Sequence, residues 1–144
     1  MSDFVLPMPP STNRLYRNWN GRQVKSTEAR TYSGVASMRA FAQGVRPLDC
    51  PVALTLVFYF IRSNADLNNR VKCLEDSLIG VAYIDDKQVV MTTTVKLEAA
   101  RVKKAPKGEK QLKRQEYVLV RVVPAVDAVL RSVEATFKGV QIDY

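Results

Sequence analysis

The chain has 144 residues, 47% of them hydrophobic, and carries 22 Lys and Arg against 14 Asp and Glu, for a net charge of +8 and a pI near 9.7. That size and apolar content specify one folded domain with its own core and exclude a disordered tail. Histidine is absent and the two cysteines, Cys50 and Cys73, have no Cys-x-x-Cys spacing, which removes a structural zinc finger and any histidine-based triad and leaves two free thiols or one disulfide. A basic surplus of this size favours an anionic partner, nucleic acid first. The prolines after Phe4-Val5-Leu6 cut short any signal-peptide core, and the apolar run at 51–61 is well under the ~20 residues that span a bilayer. A soluble, cytoplasmic protein without a membrane partner is expected.

Residues 3–8 read as a short strand that ends where Pro9 and Pro10 deny ladder hydrogen bonds. A loop rich in Asn, Arg and aromatics is expected to follow as far as Lys25. Ser26 or Thr27 caps a helix to about Gln43, stopped by Gly44, with Val35, Met38, Phe41 and Ala42 at the spacing of a core-facing stripe. Residues 51–62 form the strongest strand. Both of its alternating sets are mostly apolar, which predicts a central strand covered on both faces.

Asp66 follows that strand. A helix over 67–79 then buries Val71, Leu74 and Leu78 and ends at Gly80, placing Asn68 and Lys72 four residues apart on one face. After Asp85-Asp86, strands are expected at 88–98 and 116–123, paired with each other. Between them, residues 101–115 carry seven positive charges (Arg101, Lys103, Lys104, Lys107, Lys110, Lys113, Arg114) against Glu109. Residues 126–137, with Val126, Val129, Leu130 and Val133, read as a C-terminal amphipathic helix. The sum is an α+β fold: one small mixed β-sheet packed with two main helices, with the basic loop at 101–115 and a C-terminal extension at about 125–144.

The chemistry concentrates where carboxylates bracket a lysine, at Asp66, Lys72 and Asp85-Asp86. Clustered acids repel, and a divalent cation reverses that cost. Each feature also has a plainer reading. Asp66 is a good helix cap, Asp85-Asp86 a turn signal, Lys72 a surface lysine, and the basic stretch a solvated loop.

Two groups of residues carry a family resemblance. Pro7-Met8-Pro9-Pro10-Ser11-Thr12-Asn13-Arg14-Leu15-Tyr16 resembles the P-x-P-P-S-x-N-x-x-Y opening of the RusA family of Holliday-junction resolvases. Asp66-Leu67-Asn68-Asn69 with Lys72, then Asp76-Ser77-Leu78 and Asp85-Asp86-Lys87-Gln88-Val89, resembles that family's D-L-D-N-x-x-K, D-A-L and D-D-x-Q-V segments in the same order. The likeness covers roughly residues 6–90 of a single 1–144 domain and leaves the C-terminal segment unmatched.

The resemblance implies a homodimeric, Mg²⁺-dependent endonuclease (Mn²⁺ a possible substitute) that acts on four-way DNA junctions. By the same resemblance Asp66 and Asp86 are metal-binding carboxylates, and Lys72 is the lysine near the scissile phosphate. Asn68 stands where the pattern has a second aspartate. A neutral amide ligates Mg²⁺ without charge, so either Asp85 joins the metal set, or the enzyme is weakened, or the amide was introduced to trap a complex. Asn13, Arg14, Tyr16, Arg17, Arg22, Lys25, Arg70, Lys103, Lys104 and Lys107 are the expected DNA contacts, with Tyr16 or Trp19 able to stack at the crossover or to sit in the core. The rival functions are a non-catalytic module for branched or single-stranded DNA and a basic RNA-associated protein.

Overall fold

The structure is a computed structural model, and it describes residues 2–11, 16–62, 64–125, 128–136 and 138–139. Chain order is β1 (Ser2–Pro7), β2 (Tyr16–Trp19), β3 (Arg22–Lys25), α1 (Thr27–Ala42), β4 (Val52–Phe60), α2 (Asn68–Leu78), a 3₁₀ turn at Asp86–Gln88, β5 (Val89–Glu98), β6 (Tyr117–Pro124) and α3 (Ala128–Thr136). The α+β class holds. A four-stranded mixed sheet, in the order β1-β6-β4-β5, is packed by α1 and α2.

β4 is central. β5 lies parallel to it, with Val52 opposite Val89 and Phe60 opposite Glu98, while β6 runs antiparallel on its other side. The parallel pair is joined through α2, as parallel strands require a crossover. Strands 5 and 6 are therefore not partners: β4 stands between them, and the basic segment is an irregular connection across the sheet and not a hairpin loop. Arg114 pins its far end, donating to the Ala99 carbonyl (3.0 Å from Nε) and to Glu98 (2.9 Å).

Alternation on β4 divides the sheet into two unlike faces. Val52, Leu54, Leu56, Phe58 and Phe60 are buried with Val118, Val120 and Val122 of β6 and with Phe4 and Leu6 of β1. Thr55, Val57 and Tyr59 on the reverse are only half-buried, so the expectation of cover on both faces is corrected. Their apolar character was real, but among the described residues they stay partly open to solvent.

α1 also turns out differently from its apolar pattern. Ala29, Tyr32, Ala36 and Ala40 are buried, whereas Met38 is 75% and Phe41 63% exposed and Val35 and Ala42 lie outside the core. Both stripes have helical spacing. The alanine stripe packs because a methyl group lets the helix approach the sheet closely, and bulk alone pointed to the wrong one. Phe41 is covered on one side by the Arg46 guanidinium, 4.0 Å from its ring centroid.

The expected loop to Lys25 contains a hairpin instead. β2 and β3 pair antiparallel about Asn20-Gly21, which have φ of 49° and 74°. Two central residues with positive φ match the twist of flanking strands, and Asn-Gly is the sequence signal for such a turn. α2 keeps its expected stripe, with Leu74 and Leu78 buried and Val71 packed on the core. In α3, Val133 is 45% exposed; Val126 and Phe137, and the side chains of Val129 and Leu130, lie outside the described residues.

Candidate active site and nucleic-acid interface

Asp66 sits between β4 and α2 and starts the helix. Its Oδ1 accepts from the Asn68 backbone N–H at 3.0 Å and its Oδ2 from the Asn69 amide at 2.9 Å. The capping role is therefore present, and it fixes the carboxylate at the positive end of the helix dipole. A carboxylate has about four lone-pair sites, so two donors leave acceptor capacity outward. Asp66 and Asn68 are both exposed. Lys96 of β5 reaches the neighbouring Ala65 carbonyl, which ties this corner to the sheet.

Lys72 projects from the middle of α2, its side chain 59% exposed, with Nζ 3.8 Å from an Asp76 carboxylate oxygen. An exposed i,i+4 pair of this kind is weak and easily exchanged for another anion such as a phosphate. Two turns of α2 separate Asp66 from the next acidic group. Glu75 accepts from Thr92 Oγ1 at 2.9 Å, and its carbonyl accepts from the Tyr83 hydroxyl at 2.6 Å. Burial first, then the charges of Glu75, Asp76 and Asp86, push the Tyr83 phenol above its ordinary value. Asp86 precedes β5, whose start lies beside the start of β4, whereas Asp66 follows the end of β4.

Asp85 closes a capping box. Its Oδ1 accepts from the Lys87 N–H at 2.9 Å, while Gln88 Oε1 accepts from the backbone of Ile84 and Asp85 and Gln88 Nε2 donates to the carbonyls of Leu48 and Cys50. The Lys87 amide, and then a hydrogen bond with the adjacent Asp86 carboxyl, hold Asp85 below the usual carboxylate range. Asp86 itself is exposed.

Asp66 and Asp86 therefore occupy opposite ends of α2. The helix between them, 11 residues at ~1.5 Å rise, spans roughly 16 Å. Among the described residues no three of His, Cys, Asp or Glu are grouped closely enough to hold a metal ion. Within one chain Asp66 and Asp86 therefore do not share a Mg²⁺ ion, which needs its oxygens at about 2.1 Å.

Of the expected DNA contacts, Arg17, Arg22, Lys103, Lys104 and Lys107 are exposed. Arg17 stands 5.7 Å from the ring centroid of Trp19, which is 61% exposed next to the hairpin turn and is not core. Lys25 is half-buried at the hairpin base, near enough to α2 for its charge to act on the Cys73 thiol, which burial raises to about 11. Arg70 is tied inward, with Nη1 2.7 Å from the Pro9 carbonyl. Together with the Tyr32 hydroxyl, 2.8 Å from the Pro7 carbonyl, it clamps the proline segment onto the two helices. Sequence reasoning read Arg70 by its charge alone. Asn13, Arg14 and the side chain of Tyr16 lie outside the described residues. Both cysteines are free, Cys73 buried and Cys50 half-buried.

A protein-family model, Endodeoxyribonuclease RusA, matches residues 7–106. The chain belongs to the RusA endodeoxyribonuclease family. Crossover junction endodeoxyribonuclease RusA of Escherichia coli strain K12 is 34% identical over 100 residues, covering 67% of this chain and 83% of the relative, and the protein of that description from Escherichia coli O1:K1 aligns with the same figures. The family match spans the proline segment, the hairpin, α1, α2 and the Asp85-Asp86 turn. It stops inside the basic connection, before β6 and α3. Among the described residues no helix is long and apolar enough to cross a membrane.

Proposed function

We propose that this RusA-family protein is a structure-specific endodeoxyribonuclease that binds four-way DNA junctions as a homodimer and cuts paired strands in the presence of Mg²⁺ or Mn²⁺. The observation that carries the reading is the order Asp66, Asn68, Lys72, Asp85-Asp86 on one helix and the turn after it, inside the stretch matched to the family. Lys72 is exposed, and the charge beside it, Asp76, is one that phosphate can replace. A lysine there stabilises the negative charge that builds on a phosphate during strand cleavage.

The homodimer follows from symmetry and from distance. A junction resolved by two matched cuts suits two sites related by a two-fold axis. Asp66 and Asp86 of one chain stand too far apart to share an ion, so a two-carboxylate site combines Asp66 with Asp86 of the partner subunit. Mg²⁺ is held by a few carboxylates together with phosphate oxygens and waters, and it supplies an activated water when bound. Trp19, Arg17, Arg22 and the lysines of the basic connection reach junction arms mainly through phosphates, giving affinity without sequence information.

The test is incubation of the purified protein with a synthetic four-way junction and a linear duplex of equal length, with and without Mg²⁺. Preferential junction binding and symmetric, metal-dependent nicks are expected. Equal affinity for both substrates with no metal-dependent product removes this reading. Junction binding without cleavage in either metal leaves the non-catalytic branched-DNA module, which Asn68 and the cap duty of Asp66 favour.

A further inference from the structure

The hairpin of β2 and β3 presents a surface that neither the core nor the acidic residues of α2 account for. Residues directly opposed in an antiparallel pair share a face, as do residues two apart on one strand. Trp19 is opposite Arg22 and Arg17 is opposite Val24. Arg17, Trp19 and Arg22 therefore stand together on one face, and all three are exposed. The Arg17 guanidinium lies 5.7 Å from the indole centroid. Residues 16–25 carry Arg17, Arg22 and Lys25 and no acid.

The turn is tight and the root is anchored. Asn20-Gly21 take the two positive φ values of a two-residue hairpin turn. Ser26, directly after β3, caps α1 by accepting from the Ala29 N–H at 3.2 Å, and the charge of Lys25 reaches Cys73 of α2. Three strand residues at ~3.3 Å each carry Trp19 and Arg22 roughly 10 Å beyond Lys25. The result is a large ring, 61% exposed, at the end of a short positive arm rooted beside the helix that bears Lys72. Exposure of this kind forfeits the burial that aromatic side chains contribute to a core.

We propose that Trp19 stacks on a DNA base left unpaired at the branch point of the junction, while Arg17 and Arg22 hold the phosphates beside that base. The inference rests on the junction-binding reading above and names the contact that selects the branch. Intact duplex offers an indole only phosphates and groove edges, because each base face is covered by its neighbour. A branch point frees such a face. Stacking is tolerant of sequence, since every base has a π-face, which suits a contact that recognises structure. An acidic segment of another protein would satisfy the two arginines and leave the indole without a flat partner.

Trp19 is the only tryptophan of the chain, so indole emission reports this residue alone. The full chain is titrated in EDTA with a synthetic four-way junction and with linear duplex of equal length. Strong quenching by the junction and little by the duplex, each at saturation, are expected. Trp19→Ala should lower the ratio of junction to duplex affinity by about 5- to 100-fold, as for the loss of one aromatic–base stack, and Trp19→Phe, which keeps a ring, should recover most of it. Trp19 lies outside the core, so both variants should match the parent in circular dichroism. Equal quenching by the two DNAs, or an unchanged affinity ratio in Trp19→Ala, overturns the proposal. A parent that cleaves junctions without a change in indole emission refutes this contact and keeps the nuclease reading. Junction-specific quenching with no cleavage in either metal does the reverse.

Discussion

The two ends of α2 carry carboxylates put to different local use. At the N-terminal end one residue does everything: Asp66 spends an oxygen on the Asn68 amide N–H and another on the Asn69 side chain while facing solvent. At the far end the work is divided, with Asp85 closing a capping box and Asp86 exposed beside it. A capping carboxylate is held in place before any ligand arrives, which lowers the ordering cost of binding. Its partners also compete for its lone pairs. The plain structural role and the chemical one are thus not exclusive at Asp66, whereas at the turn they fall on neighbouring residues and can be separated by mutation.

The largest effect is expected between the two ends. Lys72→Ala should reduce junction cleavage by a factor on the order of 10²–10³, as for loss of one preorganised charge at a reacting group, with junction affinity in EDTA nearly unchanged. Joint replacement of Lys103, Lys104 and Lys107 by Ala should do the converse. Gel shifts across a salt series should show weaker binding and a slope flatter by about one unit per lost phosphate contact. Normal cleavage by Lys72→Ala would remove its role and dissolve the contrast between chemistry on α2 and affinity on the basic connection.

A smaller and two-sided effect is expected at the Asp66 end. Asn68→Asp adds the charge that the amide lacks, so cleavage at limiting Mg²⁺ should rise several-fold, while junction affinity without metal should fall as an acid approaches DNA phosphates. A Mg²⁺ titration and a gel shift in EDTA read both from one pair of proteins. If neither curve moves, position 68 lies outside the reacting centre, and the Asp66 end owes its chemistry to Asp66 alone.

The smallest effect belongs to Asp85. Its carboxyl titrates below the ordinary range because the folded state supplies the Lys87 amide, so the stabilisation it gives is complete above the unfolded value of about 3.9 and is lost as pH falls through the lower folded value. Asp85→Ala should therefore lower the melting temperature by a few degrees at neutral pH, with the difference shrinking below about pH 4. A variant that melts like the parent at pH 7 would show that the box contributes nothing to stability.

Much of this molecule is set by local chemistry, which a linear chain displays. Ser26, Gly44 and Gly80 delimit α1 and α2 because caps and positive-φ glycines act within a few residues. The alternation over 52–60 marks β4 for the same reason, and Asn68 and Lys72 share a helix face by spacing alone. The Asn20-Gly21 turn was equally legible, and its hairpin was hidden only by the polar residues around it. Other features depend on which elements meet. That α1 buries Ala36 and Ala40 and exposes Met38 and Phe41 is decided by how near the helix comes to the sheet. That β6 pairs with β1 and β4 and not with β5 is decided by a sheet order no neighbouring residues encode. The separation of Asp66 from Asp86 follows from α2 lying between them. Only tertiary structure could reveal it, because sequence proximity across a crossover carries no information about which end of the sheet each residue reaches.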